Sequence, residues 1–324
     1  MKQQQFEQLH SEQWALLAHD LEKLAKYKTQ LDAHAVVNFP QLYRQVCQHL
    51  AIARDRHYTP ALIERLNRLV LDGHQYLYAN RSPLVTRMLE FIAYGFPRAV
   101  RANWGVVLAS SLCFFGSLMG MTLLVYLYDD NAYYLLSHGQ LREVEAMYKP
   151  SAQHWGHPRE ADSDLYMFGF YIRHNISIGF QTFASGLLFA IGSVFYLLFN
   201  GLYIGSIAGH LINKGYNEPF FSFVAGHSAF ELTAIMLSGA AGLKLGLALL
   251  APKRDSRLQA LQHAAQSIVP LIYGFFSLFL LAAFIEAYWS SNALLNPEFK
   301  YAVGIGLWLI TLLYLSFAGR SHAD

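Results

Sequence analysis

The sequence predicts an all-α, polytopic membrane protein with an N-terminal helical bundle. Two observations favour this fold class. Hydrophobic residues make up 54% of the 324 residues and charged residues only 14%, a balance typical of membrane proteins. Residues 168–250 also form a long apolar stretch, well beyond the roughly 20 residues that cross a hydrocarbon core of about 30 Å. Polar interruptions in this stretch indicate that some of the five or six membrane segments are short or broken.

Residues 1–81 are predicted to form a cytoplasmic bundle of helices. In the first helix, apolar residues recur at three–four spacing from Trp14 to Leu31, which gives one apolar face. A second helix follows Pro40. A third begins at Thr59 and Pro60, a hydroxyl cap followed by a proline at the first helical position. We expect no active site in this bundle.

Residues 82–102 are predicted to form an interfacial elbow helix that lies along the membrane surface. The segment is capped at Ser82-Pro83, and we expect Gly95-Phe96-Pro97 to break it just before the membrane. Its apolar side would enter the lipid, and Arg98 and Arg101 would lie at the level of the phosphates. The alternative is a fourth helix of the N-terminal bundle.

Residues 103–320 are predicted to form the transmembrane domain, whose first span covers residues 103–128. The loop that follows, residues 129–165, contains seven acidic and three basic residues, whereas residues 1–102 contain 13 Lys and Arg. Because cytoplasmic segments are enriched in Lys and Arg, this asymmetry places the N-terminus in the cytoplasm and the loop outside. The expected location is the bacterial cytoplasmic (inner) membrane.

The later crossings are harder to count from the sequence. Residues 176–199 and 228–250 each predict one span, and residues 200–213 a short third piece that begins at a break at Asn200-Gly201. Spans at residues 265–288 and 301–317 complete six segments, with Glu286 at the interface. Basic residues from Lys253 to Arg257 place the loop before these spans in the cytoplasm. Five segments with an external C-terminus are the alternative.

Four polar residues stand out in the apolar stretch: Asn175, Asn200, His227 and Glu231. Polar side chains inside a bilayer are costly, so we expect these four to turn inward and meet one another. His227 and Glu231 are four residues apart and share one helix face. Three interpretations stay open for this pair: a structural clasp, a proton or ion site in a conduit, and a metal site.

A metal site is the least favoured of the three interpretations. Zinc normally takes three protein ligands, and the chain lacks the second histidine of an H-E-x-x-H motif. We therefore predict no metal and no cofactor. His227 and Glu231 are the candidate ligands, and His174 or His210 could add a further one, although neither lies at a spacing that predicts it. We also predict no catalytic residue, because the chain contains neither a G-x-S-x-G motif nor a P-loop.

Glycines at helical spacing predict close packing of helix backbones. They are Gly116 and Gly120 in the first span, Gly201, Gly205 and Gly209 after Asn200, and Gly239 and Gly242 after Glu231. The partner of Gly116 and Gly120 could be another helix of this chain or a second copy.

The order of these residues resembles the stage II sporulation protein M family, a family of multi-pass membrane proteins of bacteria and archaea. The resemblance covers residues 95–250. It rests on Asn175, Gly179, Gly186, Asn200-Gly201-x3-Gly205, His227-x3-Glu231 and Gly239-x2-Gly242. The chain has His174-Asn175 where the family pattern has paired asparagines. The resemblance implies a membrane complex, with a cell-envelope protein or a cytoplasmic ATPase as partner.

Two function hypotheses follow from the sequence. The first is a non-enzymatic membrane protein that acts as a scaffold or recruiting component and forms a homo-oligomer, with a dimer favoured. The alternative is a channel or transporter for an ion, lipid or small solute, with its pathway at the broken helices around Asn200 and His227. Apart from the lipid bilayer, the expected partners are proteins. A net charge of only +2 gives no reason to expect nucleic acid.

Overall fold

The computed structural model describes residues 2–27, 33–79, 84–149, 161–252, 254–292 and 294–320. Within these ranges the side chains of residues 24–27, 33–38, 76–79 and 161–163 are also left undescribed. The positions predicted at Leu24, Leu31, Ser82-Pro83 and Lys253 therefore lie outside the described residues. The described chain is helical and has no strand, which confirms the all-α class. It divides into two compact units, Met1–Met88 and Leu89–Asp324.

The first unit contains a bundle of three helices: α1 (Gln3–Tyr27), α2 (Ala33–Asp55) and α3 (Pro60–Ala79). The predicted apolar face of α1 is buried, with Trp14 and Leu17 at most 1% exposed, and it packs on apolar residues of α2 and α3 such as Val46 and Leu66. Helix α3 begins at Pro60, as its start signal predicts. The Gln3 side chain accepts a hydrogen bond from the Thr59 backbone amide at 3.0 Å and donates one to the Thr59 hydroxyl at 2.8 Å.

A helical segment leads into the second unit through α4 (Leu84–Glu90), a π-helical turn (Phe91–Gly95) and α5 (Phe96–Ala102). The expected break at Gly95-Phe96-Pro97 is absent, because the π-helical turn continues directly into α5. Pro97 has no N–H to donate, and the Ile92 carbonyl five residues earlier accepts a hydrogen bond from the Tyr314 hydroxyl instead. Arg98 and Arg101 donate hydrogen bonds to the carbonyls of Gly319 and Leu315. Their guanidinium groups thus bind carbonyls near the end of the last helix.

The rest of the second unit is built from eight further helices among the described residues. They are α6 (Trp104–Leu127), α7 (His138–Tyr148), α8 (Ala161–Ala184), α9 (Ile191–Asn213), α10 (Asn217–Val224), α11 (Ser228–Leu250), α12 (Arg257–Ile285) and α13 (Pro297–Phe317). A 3₁₀ turn (Asp129–Tyr134) follows α6, and a π-helical turn (Glu286–Ser290) extends α12. Helix α11 is central, since most of its residues are buried.

Contacts between helices define two ends of this bundle, which we call the α7 end and the α5 end after the short helix that lies at each. At the α7 end, the Asn213 amide donates to the carbonyl of Val125, so α6 and α9 finish together and run parallel. At the α5 end, Gly246 of α11 lies against Ala190, in the turn before α9. Helix α8 therefore runs from the α7 end to the α5 end, and α9 runs back again.

Five helices among the described residues are long and apolar enough to cross a membrane: α6, α9, α11, α12 with its π-helical extension, and α13. Helix α8 is the remaining long helix of the second unit, and its 24 residues correspond to about 36 Å. The predicted spans at residues 176–199 and 200–213 are wrong in their boundaries. The chain breaks at residues 185–190 instead, where Phe189 and Ala190 have positive φ angles of 50° and 68°.

Helix α9 continues through Asn200-Gly201 for a local reason. The Asn200 side-chain amide donates to the carbonyl of Tyr196, one turn earlier in the same helix, at 2.7 Å. The amide therefore satisfies its own hydrogen-bonding need without freeing any backbone group. The break predicted at this pair does not occur.

Candidate functional site

A buried polar cluster lies near the α7 end of the second unit, and we call it the acid–histidine cluster. It consists of His227, Glu231, Glu286 and Asn175, which come from the start of α11, the extension of α12 and the middle of α8. Gly226 allows this arrangement: a Cβ there would overlap the ring of Trp289. The turn before α11 can thus approach the end of α12 closely enough to bring His227 beside it.

Three of these side chains offer converging donor atoms. One donor atom from each of His227, Glu231 and Glu286 lies within 4.8 Å of the other two. The His227 Nε2 atom is 3.7 Å from Glu231 Oε2, and its Nδ1 atom is 3.0 Å from the Ser290 hydroxyl. His227 is 5% exposed and Glu286 is 9% exposed.

Two buried atoms of the cluster, Glu286 Oε2 and Asn175 Nδ2, make no hydrogen bond of good geometry among the described residues. Asn175 is 1% exposed, and its side chain lies beside that of Glu286. Buried polar atoms are nearly always satisfied in native proteins, so two neighbouring exceptions call for an explanation.

Aromatic side chains and one lysine enclose the cluster. The ring of Phe223 lies 5.3 Å from that of His227, and Tyr148 of α7 packs on Phe223 and Phe220. Lys300 is buried and donates to the backbone carbonyl of Ser290 at 2.8 Å. No ion pair is described between this ammonium and either glutamate.

The structure brings together three of the four polar residues singled out from the sequence. Asn175, His227 and Glu231 belong to the cluster, but the hydrogen bond described for Asn200 stays within α9. Glu286 takes the fourth place, because it is buried inside the protein at the end of α12; the sequence had predicted only that it lies at the membrane interface. Its register could have revealed this: Glu286 continues a buried face of α12 that includes Leu271, Phe275, Phe279 and Ala282.

A second polar group, missed in the sequence, joins the segment after α6 to α9, and we call it the His210 clasp. His210 is 1% exposed. Its Nδ1 lies 3.0 Å from Asp129 and its Nε2 2.8 Å from Glu145. Burial of Asp129 opposes its ionisation, but the hydrogen bond and charge of His210 and the charge of Lys214 outweigh it and lower the pKa of Asp129.

The clasp positions the 3₁₀ turn and α7 against the end of α9. No spacing rule connects His210 with residues 65 and 81 positions away in the chain. The only sequence signal was the acidic character of the loop.

The predicted packing glycines fall into two groups. Gly201, Gly205 and Gly209 of α9 lie against successive turns of α6, Gly239 lies against Leu197 of α9, and Gly242 lies against Ser193 and the backbone of α8. By contrast, Gly116 and Gly120 face away from the described part of the chain, where an added Cβ would meet nothing within 4 Å.

Two glutamates and an imidazole in this arrangement can share protons or bind a cation. Buried carboxylates are strongly disfavoured unless they are neutralised or paired. Because the three residues come from α11 and the end of α12, and Asn175 from α8, a bound proton or cation would also connect three helices of the bundle.

Comparison with known families agrees with this architecture. A family model described as Stage II sporulation protein M matches residues 106–291, which is more than half of the chain and includes the whole acid–histidine cluster. A second model, described as a domain of unknown function (DUF8413), matches residues 4–79 of the first unit. No curated protein and no solved structure matches the chain. The chain thus belongs to the stage II sporulation protein M family.

Proposed function

We propose that this membrane protein is a scaffold that associates with a second copy of itself through α8. One observation carries the proposal: Gly169, Arg173, Ser177 and Gln181 are exposed at four-residue intervals along α8. This spacing places them on one face of the helix. A polar face on the outside of a membrane bundle needs a partner.

The depth of this face decides the argument. Gln181 precedes Thr182, whose carbonyl accepts a hydrogen bond from Ser193 and lies against Gly242. Gly242 is eight residues before the end of α11, which corresponds to about 12 Å. Counted from the end of α11, we infer that Gln181 lies inside the membrane, where contact with acyl chains is costly and polar side chains normally face protein or water. A second copy would supply that contact.

The exposed face of α6 supports the recruiting part of the proposal. Gly116 and Gly120 would let another helix approach closely. Beside them lies an apolar groove lined by Leu118, Met119, Thr122, Leu123, Tyr126 and Ile212. We assign this face to a transmembrane helix of a partner protein and the α8 face to self-association.

The proposed orientation places the first unit in the cytoplasm and α7 outside. The Lys and Arg side chains within residues 1–102 and in the loop before α12 support this orientation. Cytoplasmic segments are enriched in Lys and Arg, and both segments then lie on the cytoplasmic side of the bacterial inner membrane. The first unit would recruit a cytoplasmic partner, such as the ATPase that the family resemblance implies, and α7 a cell-envelope protein.

Crosslinking in native membranes tests self-association. In a background with Cys47→Ser and Cys113→Ser, we expect Ser177→Cys to form a disulfide-linked dimer. The matched control is Leu309→Cys on α13, whose native side chain is 55% exposed and which should stay monomeric. Equal crosslinking of both variants, or none at Ser177→Cys together with a monomeric mass in detergent, would refute the proposal.

A conduit for a proton or small ion is the second candidate function. The observation that favours it is the pair of buried glutamates beside His227, since intramembrane ionisable residues commonly mark ion pathways. Liposomes with purified protein should then show an ion flux that Glu231→Gln and Glu286→Gln reduce. A flux that both variants leave unchanged would exclude this cluster as the pathway.

A further inference from the structure

We propose that the acid–histidine cluster binds one divalent cation of the zinc class. The ligands are His227 Nε2 and the carboxylates of Glu231 and Glu286, with the side-chain oxygen of Asn175 as a fourth donor. Imidazole nitrogen and carboxylate oxygen are ligands that zinc and related first-row metals accept. The inference does not depend on whether the protein is a scaffold or a conduit.

The hydrogen bond of His227 orients its other ring nitrogen toward the carboxylates. The Ser290 hydroxyl lies 3.0 Å from Nδ1, so Nδ1 can carry the proton and Nε2 the free lone pair. Metal-ligating histidines typically donate their second ring N–H to an outer partner in this way. Ser290 is 2% exposed, and its carbonyl is bonded by Lys300, which limits movement of this partner.

The distances fit an ion between the donor atoms better than a direct hydrogen bond. His227 Nε2 and Glu231 Oε2 are 3.7 Å apart, beyond the usual range of an N–H···O bond. Tetrahedral zinc with bonds of about 2.0 to 2.2 Å separates its ligand atoms by about 3.4 Å. The three donor atoms of the cluster all lie within 4.8 Å of one another, so they would move together by up to about 1.4 Å to reach that spacing.

The two unpartnered atoms supply the independent observation. Glu286 Oε2 and Asn175 Nδ2 make no hydrogen bond of good geometry among the described residues, although the Asn175 side chain lies close enough to interact with the Glu286 carboxylate. Both side chains are at least nine-tenths buried, and Asn175 lies beside Glu286. The oxygen and nitrogen of an asparagine amide are assigned from their surroundings. Rotating the Asn175 amide by half a turn would therefore exchange its oxygen and nitrogen and present the oxygen to the ion.

A divalent cation can take the place of the protons that otherwise neutralise the two buried glutamates. Two ionised glutamates in a buried site carry two negative charges, and the neutral imidazole adds none. Among the described residues, Lys300 is the nearby base, but its ammonium bonds the Ser290 carbonyl and forms no described ion pair with either glutamate. One divalent cation would make the cluster neutral and would bind Glu286 Oε2, with the Asn175 amide turned to offer its oxygen.

Metal analysis of the full-length protein tests the proposal. Protein purified in detergent without chelator should contain about one zinc, manganese, iron or cobalt ion per chain. We expect Glu286→Gln and Glu231→Gln each to reduce the metal content by about tenfold or more. The matched control Glu298→Gln removes an exposed carboxylate from the start of α13 at the same end of the bundle, and it should keep the wild-type content.

A second measurement uses only the native sequence and so does not depend on the folding of a variant. Chelator-treated wild-type protein is titrated with Co²⁺, and we expect visible absorption bands of tetrahedral or five-coordinate Co²⁺ that Zn²⁺ abolishes. We also expect Zn²⁺ to raise the unfolding temperature. Absence of metal in the purified protein together with absence of these bands would overturn the proposal, as would a metal content that both glutamate variants retain.

Discussion

Replacement of Gly205 by alanine tests the close packing of α9 on α6. A Cβ at this position would lie 2.5 Å from the Leu118 carbonyl oxygen and 3.0 Å from the Met121 Cβ, both on α6. Ordinary contact begins near 3.4 Å, so α6 and α9 must separate by about 0.9 Å at this level. The carbonyl oxygen belongs to a helix backbone and cannot rotate away.

Two opposing effects set the expected magnitude. Overpacking of a well-packed interface costs about 1 to 3 kcal/mol, and a gap approaching 1 Å weakens the neighbouring contacts at Gly201 and Gly209. Alanine is also the better helix former by about 1 kcal/mol. We therefore expect Gly205→Ala to lower the free energy of unfolding by about 1 to 2 kcal/mol.

Gly306→Ala on α13 is the matched control. A Cβ there would meet nothing within 4 Å, so only the gain in helix propensity remains, and this variant should equal or exceed wild-type stability. The assay is thermal unfolding in detergent, monitored through the reaction of Cys113 on α6 with a thiol-reactive dye. If Gly205→Ala were as stable as Gly306→Ala, the parallel packing of α6 and α9 would be wrong.

Two further predictions concern histidines. His210→Ala removes two hydrogen bonds to carboxylates that are themselves about one-third exposed, and we expect it to lower the free energy of unfolding by about 2 kcal/mol. Amide hydrogen exchange of residues 129–148 should accelerate, and unchanged exchange would contradict the clasp. In the first unit, burial and the charge of His10 lower the pKa of His49 to about 4. As the pH falls, His49 takes up a proton in the unfolded chain before it does so in the folded one. The contribution of His49 to the free energy of unfolding should therefore be complete above about pH 6.5 and fall by on the order of 1 kcal/mol as the pH drops toward 4. In the native protein, Trp14 Nε1 donates a hydrogen bond to His49 Nδ1 at 3.1 Å, and the glutamine of His49→Gln can still accept it. This variant should lose the pH dependence. If hydrogen exchange in α1 and α2 has the same pH profile in both proteins, the assignment to His49 is wrong.

Long apolar runs and helix start signals made most helices predictable. The unbroken runs of α6, α12 and α13 predicted spans, and Thr59-Pro60 predicted the start of α3 to the residue. These features depend on local sequence, through burial of one face or through capping. The all-α class followed from them without knowledge of any tertiary contact.

The central hairpin of α8 and α9 could not be delimited in the same way. Polar Arg173 and His174 on α8 concealed a long helix, and Asn200-Gly201 suggested a break that the bond from Asn200 to Tyr196 makes unnecessary. The real break, at Phe189-Ala190, consists of apolar residues with positive φ, which no turn rule would select.

Most of the candidate site was predictable, for a related reason. His227 and Glu231 share a face at i, i+4 spacing, which the sequence shows directly, and the polarity of Asn175 inside an apolar stretch predicted that it turns inward to meet them. Glu286 was not predicted to join them, because it does so only through packing of α12 on α11, a contact between residues far apart in the chain. The His210 clasp is likewise a tertiary contact.

Cysteine labelling from one side of the membrane tests the path of the chain most directly. Single cysteines are introduced at Arg142 on α7, Glu218 on α10 and Asp255 before α12, all exposed positions, in the background without native cysteines. An impermeant maleimide should label Arg142→Cys and Glu218→Cys on intact spheroplasts, and Asp255→Cys only after permeabilisation. Labelling of Arg142→Cys and Glu218→Cys from opposite sides would show that α8 and α9 do not both cross the membrane, which would contradict the account.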